Sequence, residues 1–304
     1  MQPIPPVEKP KKSFGRTLLY FTLGLVALVV LSSVFGRYLA DGGLDAGKEK
    51  IALVEISGQI IDSRQIVRQI SKYRRDDAIK AILLRIDTPG GAVGPSQEIY
   101  DEVLRVRADN KKIYASMGSL AASGGYYIAV AADRIFANPG TLTGSIGVIM
   151  AFGNAEKLME KIGLEPQVVK SGKYKDVGSP ARKMTSEERR YLQRVLDDVH
   201  EQFIDAVAQG RNMTAKEARE LADGRVFTGR QALKLKMVDE MGGLEDVIAK
   251  LGEAAGIEGR PKVVWEEPPK GFMEWLMAGS LSKEFKANWM PSQFPALQYL
   301  WLPG

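Results

Sequence analysis

The 304-residue chain contains no cysteine and a single histidine, His200. The first absence excludes disulfides, thiolate nucleophiles, zinc–thiolate sites and a lipid anchor on cysteine. It leaves the redox compartment open. The scarcity of histidine is more restrictive. Histidine is the usual general base and the commonest metal ligand, so most hydrolase and metalloenzyme designs are nearly ruled out. No long block of one charge occurs either. The net charge is +5, with 42 Lys and Arg against 37 Asp and Glu, which does not indicate a nucleic-acid surface. No internal repeat is evident. What remains is ordinary for a globular chain, 45% hydrophobic and 26% charged, and long enough for one large domain or two small ones.

One uncharged run stands out. "TLLYFTLGLVALVVLSSVF" begins at Thr17, and 20 residues separate Arg16 from Arg37. A helix of that length spans about 30 Å, the thickness of a bilayer's hydrocarbon core. Lys9, Lys11, Lys12 and Arg16 precede the run. The positive-inside rule then predicts a cytoplasmic segment over 1–16, a transmembrane anchor over 17–36 and residues 38–304 on the extracytoplasmic side of the cell membrane. A cleaved signal peptide is the competing reading, although its apolar core is usually shorter, about 7–15 residues.

After a Gly- and Asp-rich linker (37–50), apolar residues alternate between two periods. "IALVEISGQI" (51–60), "AILLRID" (81–87) and "KIYASM" (112–117) predict strands. Residues 63–76 and 95–109 carry helical periodicity, with Ile66, Val67 and Ile70, then Ile99, Val103 and Leu104, on one face. That order implies a parallel sheet covered by helices, an α/β fold. Further strands are expected at 134–138, 145–150 and 166–174, and a helix at 155–163. "TSEE" (185–188), "TAKE" (214–217) and "TGRQ" (228–231) read as capping boxes that open helices, and 244–256 as a last helix. We read 51–260 as one domain. Residues 261–304 form an aromatic tail with prolines at 291, 295 and 303. It is expected to pack on its own or a neighbouring subunit, since the prolines break a long amphipathic membrane helix.

Two turns could carry chemistry. "DTPGG" (87–91) follows a buried strand, where parallel sheets bind ligands, and its glycines can point amides at an oxyanion. "GSLAASGGYYIAVAAD" (118–133) sets Ser123 at a helix start amid small residues. Taken alone, this stretch favours an N-cap serine, but it also has the logic of a nucleophile elbow without the GxSxG sequence. A nucleophilic serine needs a base. His200 lies beside an apolar helical stripe and is expected to be structural. A lysine can serve if desolvation lowers its pKa from about 10.4 toward neutrality. Lys170, Lys173 and Lys175 lie near the end of the strand expected at 166–174, and alternation puts Lys173 and Lys175 on one face.

Together, "DTPGGAVGPSQEIYDEV", "SMGSLAASGGYYIAVAADRIFANPGTLTGSIGVI", "SGKYKDVGSPARKMTSEERRYLQ" and "DGRVFTGRQALKLKMVDEMGG" resemble the signal peptide peptidase A family of the short, single-domain type. These are membrane-anchored serine proteases with a Ser–Lys dyad. The resemblance implies a crotonase/Clp-protease-like spiral of ββα units. It matches Ser123 to the nucleophile, Lys175 to the general base and Ser145 to a serine that orients the lysine. The amides of Gly91 and Gly124 match the oxyanion hole, with Gly90 the alternative to Gly91. It implies no metal and no other cofactor. The expected partners are peptide substrates such as cleaved signal peptides, the membrane, and copies of the same chain in a homo-oligomer whose sites draw on two subunits. Nucleic acid is not among them. A hydratase of the same fold class would rely on carboxylates, and a Clp-type protease on histidine. A non-catalytic peptide-binding scaffold would need neither serine nor lysine.

Overall fold

The computed structural model describes residues 14–40, 49–266 and 298–300, in two units that divide after Lys48. The first holds one helix, α1 (Phe14–Ala40). The side chains described in it, those of residues 20–33 and 35, are all exposed. The helix expected at 17–36 is therefore present as backbone. Among the described residues no helix is long and apolar enough to cross a membrane.

The second unit is built on buried strands. β1 (Lys50–Ser57) and β2 (Ile79–Thr88) pair in parallel, with Val54 opposite Leu84, and α2 (Arg64–Arg75) connects them. Aliphatic and β-branched residues suit a parallel sheet covered on both faces. Because successive side chains point to opposite faces, Ala52, Val54, Ile56, Ile82, Leu84 and Ile86 enter one core. Ile51, Ala81 and Leu83 enter a second, smaller one. β3 (Gly90–Ala92) leads into α3 (Val93–Ala108), which buries Ile99 and Val103 as expected, and then β4 (Lys112–Ala122). α4 (Gly124–Ala129), β5 (Arg134–Ala137) and β6 (Leu142–Gly144) follow. β4 pairs β2 on one side. On the other, its first half pairs β5 and its last three residues pair β6, all in parallel.

The rest of the unit is mainly helical. α5 (Glu156–Lys161) is short, and α6 (Ser186–Arg211) is long. α7 (Ala215–Glu220), β7 (Val226–Thr228), α8 (Gly229–Lys234) and β8 (Glu240–Met241) precede α9 (Leu244–Ala254) and β9 (Lys262–Trp265). The three Thr capping boxes form as the sequence predicts. α9 covers the smaller core through Val247, Ile248 and Leu251. The sheet order is β7-β6-β4-β2-β1-β9, with β8 beside β5, and only β6–β7 is antiparallel. A last strand, β10 (Gln298–Leu300), pairs with β3. The sequence boundary drawn at 260 thus separates β9 and β10 from the sheets they join. Most of the aromatic tail, residues 267–297 and 301–304, lies outside the described residues.

Three expected elements differ. The strand at 112–117 does not give way to a turn at "GSLAA": it continues to Ala122 because Leu120–Ala122 find β6 as a partner. The strand expected at 145–150 lies earlier, at 142–144, and beyond it only Ile149 makes a bridge, to Gln298. Residues 166–174 form no strand, and Val168 and Val169 are exposed. Alternation therefore says nothing about which lysine of 170–175 faces where.

Candidate active site

Ser123 follows the last residue of β4, at the carboxyl edge of the sheet. Its backbone has φ 52° and ψ −114°, and its side chain makes no cap hydrogen bond. Left-handed φ at a residue with a Cβ costs roughly 1–3 kcal/mol. The residue is 1% exposed, and its hydroxyl has no hydrogen-bond partner among the described residues. An unpartnered buried polar group costs a further 1–3 kcal/mol or so. The simple N-cap reading therefore fails, since a capping serine would accept from the amides of the following turn. The backbone holds the residue instead. The Ser123 amide donates to the Gly144 carbonyl (2.8 Å), and the Ser123 carbonyl accepts from Tyr127 (2.8 Å).

The first amides of a helix have no acceptor within it, so the Gly124 amide, at the start of α4, is available. Gly90 and Gly91 lie against it. A Cβ on Gly124 would sit 3.3 Å from the Gly91 nitrogen and 2.7 Å from the Ser96 hydroxyl oxygen. A Cβ on Gly90 would sit 2.7 Å from the Gly124 nitrogen and would collide with the Tyr299 carbonyl oxygen. Gly90 needs its freedom twice over, since its φ is +97°. The "TPGG" turn is pinned by Thr88, a fully buried residue that sequence reasoning passed over. Its hydroxyl donates to the Gly58 carbonyl and accepts from the Gly90 amide (3.0 Å). On its outer side β3 is held by Ile60, whose amide donates to Gly90 and whose carbonyl accepts from Ala92 (2.8 Å each). The Gly91 amide and carbonyl therefore face the other way, toward β10.

Ser145 is brought close through the same backbone contact. It follows Gly144, has φ 51° and is 7% exposed, and its amide donates to Arg225 (2.9 Å). Ser123 and Ser145 thus cap the paired ends of β4 and β6, both in left-handed conformation. Lys175 is not brought to them. It lies exposed in a series of turns over 171–178, and among the described residues no hydrogen bond or ion pair reaches its amino group. The other two candidate lysines are engaged: Lys170 with Asp176 (2.5 Å), and Lys173 with Glu187 (2.6 Å). Arg182 fixes the end of this segment by bridging Asp176 (2.9 Å) and Glu188 (2.5 Å). Its hydrogen bond, with a second from Lys170, holds the Asp176 carboxyl well below the usual carboxylate range. The same guanidinium and the Thr185 amide lower Glu188 to about 2. His200 is half-buried on α6, and its Nε2 has no partner among the described residues.

An occupant already lies in the groove beside Ser123. β10 runs antiparallel to β3, with Tyr299 opposite Gly91. On its far side Gln298 exchanges both backbone hydrogen bonds with Ile149 (3.1 and 3.2 Å). Alternation then turns the Tyr299 N–H and C=O toward Gly91. Its carbonyl oxygen crowds the point between Gly90 and the Gly124 amide noted above. The chain's own segment is held between two extended stretches as a peptide substrate would be. The arrangement can present a strained hydroxyl, unpaired among the described residues, and two backbone amides to the carbonyl of an extended peptide.

Comparison with known proteins finds two matching family models and several relatives. A model described as peptidase family S49 matches residues 105–258, and one described as Clp protease matches residues 48–143. The chain is 42% identical over 243 residues to a protein of Synechocystis sp. named as a protease, covering 79% of this chain and 87% of that one. It is 34% identical over 245 residues to an Enterococcus faecium protein named as a signal peptide peptidase, covering 76% and 71%. It is 35% identical over 239 residues to the chloroplastic serine protease SPPA of Arabidopsis thaliana, covering 74% of this chain and 35% of that one.

Proposed function

Because the chain belongs to peptidase family S49, and so is a serine peptidase with a Clp-protease-like α/β domain, we propose that Ser123 is its nucleophile, Lys175 its general base and Ser145 the residue that orients the lysine. The Gly91 and Gly124 amides form the oxyanion hole. The observation that carries this reading is the state of Ser123 itself: strained, buried, without a hydrogen bond among the described residues, and at the carboxyl edge of the sheet beside the Gly91 and Gly124 amides, against which the Tyr299 carbonyl lies.

The reaction is peptide hydrolysis in two steps. Ser123 Oγ attacks the carbonyl carbon while its proton passes to the neutral Lys175 amine, and the developing oxyanion accepts from Gly91 and Gly124. The C–N bond then breaks as Lys175 returns the proton to the leaving amine. Water, deprotonated by Lys175 in turn, releases the acyl group as a carboxylate. No cofactor enters. The test is covalent: a fluorophosphonate probe labels the full chain at Ser123, and peptides slow the labelling. Labelling of a different serine, or of none, overturns the assignment.

A lysine acts as base only when neutral, which requires desolvation, and Lys175 is exposed in the single chain. A second copy supplies the cover in this reading. The segment that carries Lys175 also exposes Leu158, Ile162, Leu164, Val168 and Val169, a larger run of apolar surface than isolated exposed residues account for. The homo-oligomer therefore completes each site across a subunit boundary.

The substrates we assign are short apolar peptides such as cleaved signal peptides, met at a membrane. In this reading the anchor rests on the sequence, the uncharged run 17–36, since no helix among the described residues qualifies as a membrane span; the amino terminus lies in the cytoplasm and the catalytic domain outside. The exposed apolar side chains of α1 and the basic residues before it support this. Alkaline carbonate extraction of cells expressing the full chain is expected to leave it in the membrane pellet. Release into the supernatant overturns the anchor.

A further inference from the structure

Thr88 is the last residue of β2 and is fully buried. Threonine carries two different branches on Cβ, and here each reaches a different loop. The hydroxyl donates to the Gly58 carbonyl and accepts from the Gly90 amide at 3.0 Å. Its single proton and one of its lone pairs are thereby engaged. The methyl, Cγ2, faces the first turn of α4: a Cβ placed on Gly125 would lie 2.6 Å from it. One side chain therefore touches both loops that offer amides to a substrate carbonyl, the "TPGG" turn and the start of α4.

The turn needs such a hold. Gly90 has φ +97°, and glycine loses more conformational freedom on folding than any other residue. Two hydrogen bonds fix the peptide planes on either side of it. Thr88 holds the N–H of the plane between Pro89 and Gly90. Ile60 donates its amide to the Gly90 carbonyl (2.8 Å) and so holds the plane between Gly90 and Gly91. In a planar trans peptide the N–H points opposite to the C=O. The Gly91 N–H is therefore turned away from Ile60 and into the groove. Loss of the Thr88 tether frees rotation at Gly90, and with it the direction of the Gly91 amide.

We propose that Thr88 is a positioning residue for the hydrolysis: its hydroxyl aims the Gly91 amide, and its methyl braces the turn that carries the Gly124 amide. This deepens the proposed function and rests on those amides serving Ser123. Fixed donors stabilise an oxyanion because they need not reorganise as the charge develops. Thr88 is buried behind the turn and acts through Gly90, so its effect falls on the transition state more than on the bound peptide. Of the common small residues, only threonine supplies both branches. Valine keeps the shape without the hydroxyl, and serine keeps the hydroxyl without the methyl.

The experiment compares the full chain with Thr88→Val, Thr88→Ser and Thr88→Cys. Active molecules are counted by fluorophosphonate labelling of Ser123 carried to completion. Two measurements follow: kcat and KM for a fluorescence-quenched hexapeptide of alanine and leucine, and inhibition by acetyl-Leu-Leu-leucinal and by the corresponding alcohol. The aldehyde takes Ser123 Oγ at its carbonyl carbon and places its oxygen between the two amides. The alcohol binds without that oxygen. Outright loss of an oxyanion donor costs about 10²–10³ in kcat, and a donor that is only loosened costs less. Thr88→Val is expected to lower kcat about 30-fold with KM within about twofold. It weakens the aldehyde about as much and leaves the alcohol unchanged. Thr88→Ser recovers kcat to within about threefold. Thr88→Cys, whose thiol bonds weakly, falls about tenfold, and it decides the matter if Thr88→Val does not fold. Full kcat per labelled serine in Thr88→Val or Thr88→Cys, with only Tm lowered, makes the residue structural and overturns the proposal. So does an equal loss of aldehyde and alcohol, or a Thr88→Ser protein as slow as Thr88→Val. Those outcomes leave Ser123 as the nucleophile. Absence of labelling at Ser123 in the unaltered chain removes the nucleophile itself, and the positioning with it.

Discussion

Ser123→Ala is expected to lower kcat/KM for peptide hydrolysis by about 10⁴-fold or more and, at the same time, to leave the protein as stable or more so. The two effects have one origin. The hydroxyl is buried without a hydrogen bond among the described residues, so its removal relieves a desolvation penalty of roughly 1–3 kcal/mol. Ser123→Gly removes the hydroxyl and also the left-handed strain at φ 52°. It should raise Tm further, by some 2–4 °C for each kcal/mol in a domain of this size. A serine kept for structure behaves oppositely: loss of a cap costs about 1 kcal/mol. Calorimetry of the three proteins beside a peptide assay checks both halves. A Ser123→Ala protein that is active, or one that is inactive because its Tm has dropped, removes Ser123 from the mechanism.

Lys175→Ala is expected to be as inactive as Ser123→Ala, whereas Lys173→Ala keeps most of the activity. Lys173 is held by Glu187 at 2.6 Å, and that hydrogen bond raises its pKa, the wrong direction for a base. Lys175 has no such partner among the described residues. The decisive measurement is a mixture. If serine and lysine come from different copies in a head-to-tail ring, each interface is heterologous. Co-assembled Ser123→Ala and Lys175→Ala chains then recover roughly a quarter of the sites. Those are the sites where an intact serine meets an intact lysine from the neighbour. No recovery in a verified mixed oligomer means that both groups come from one chain, and an active Lys175→Ala protein means that the base is another residue.

The strands, the helices and their caps were legible because they depend on local order. Period-two burial in "AILLRID" and the reciprocal bonds of "TSEE" and "TGRQ" need only near neighbours. Two failures share a cause. "GSLAA" is strand because β6 lies beside it, and 166–174 is not strand because no described strand does. Strand pairing is a property of partners distant in sequence.

The same division runs through the site. The sequence by itself determined which chemistry was possible: no thiolate, one poorly placed histidine, a serine at 123 set among small residues, and three candidate lysines over 170–175. Those are inventories and local order, and the sequence suffices for them. Only the tertiary structure decided that Ser123 is strained, and unpaired among the described residues, rather than a helix cap, because its backbone is set by a hydrogen bond to Gly144 across the sheet. Only it brought Gly90, Gly91 and Gly124 to one point, since their close approach needs two loops at neighbouring strand ends. And only it set Tyr299, 176 positions beyond Ser123 in the sequence, into an aromatic box beside the serine. No periodicity links those residues; burial of one ring against two others does.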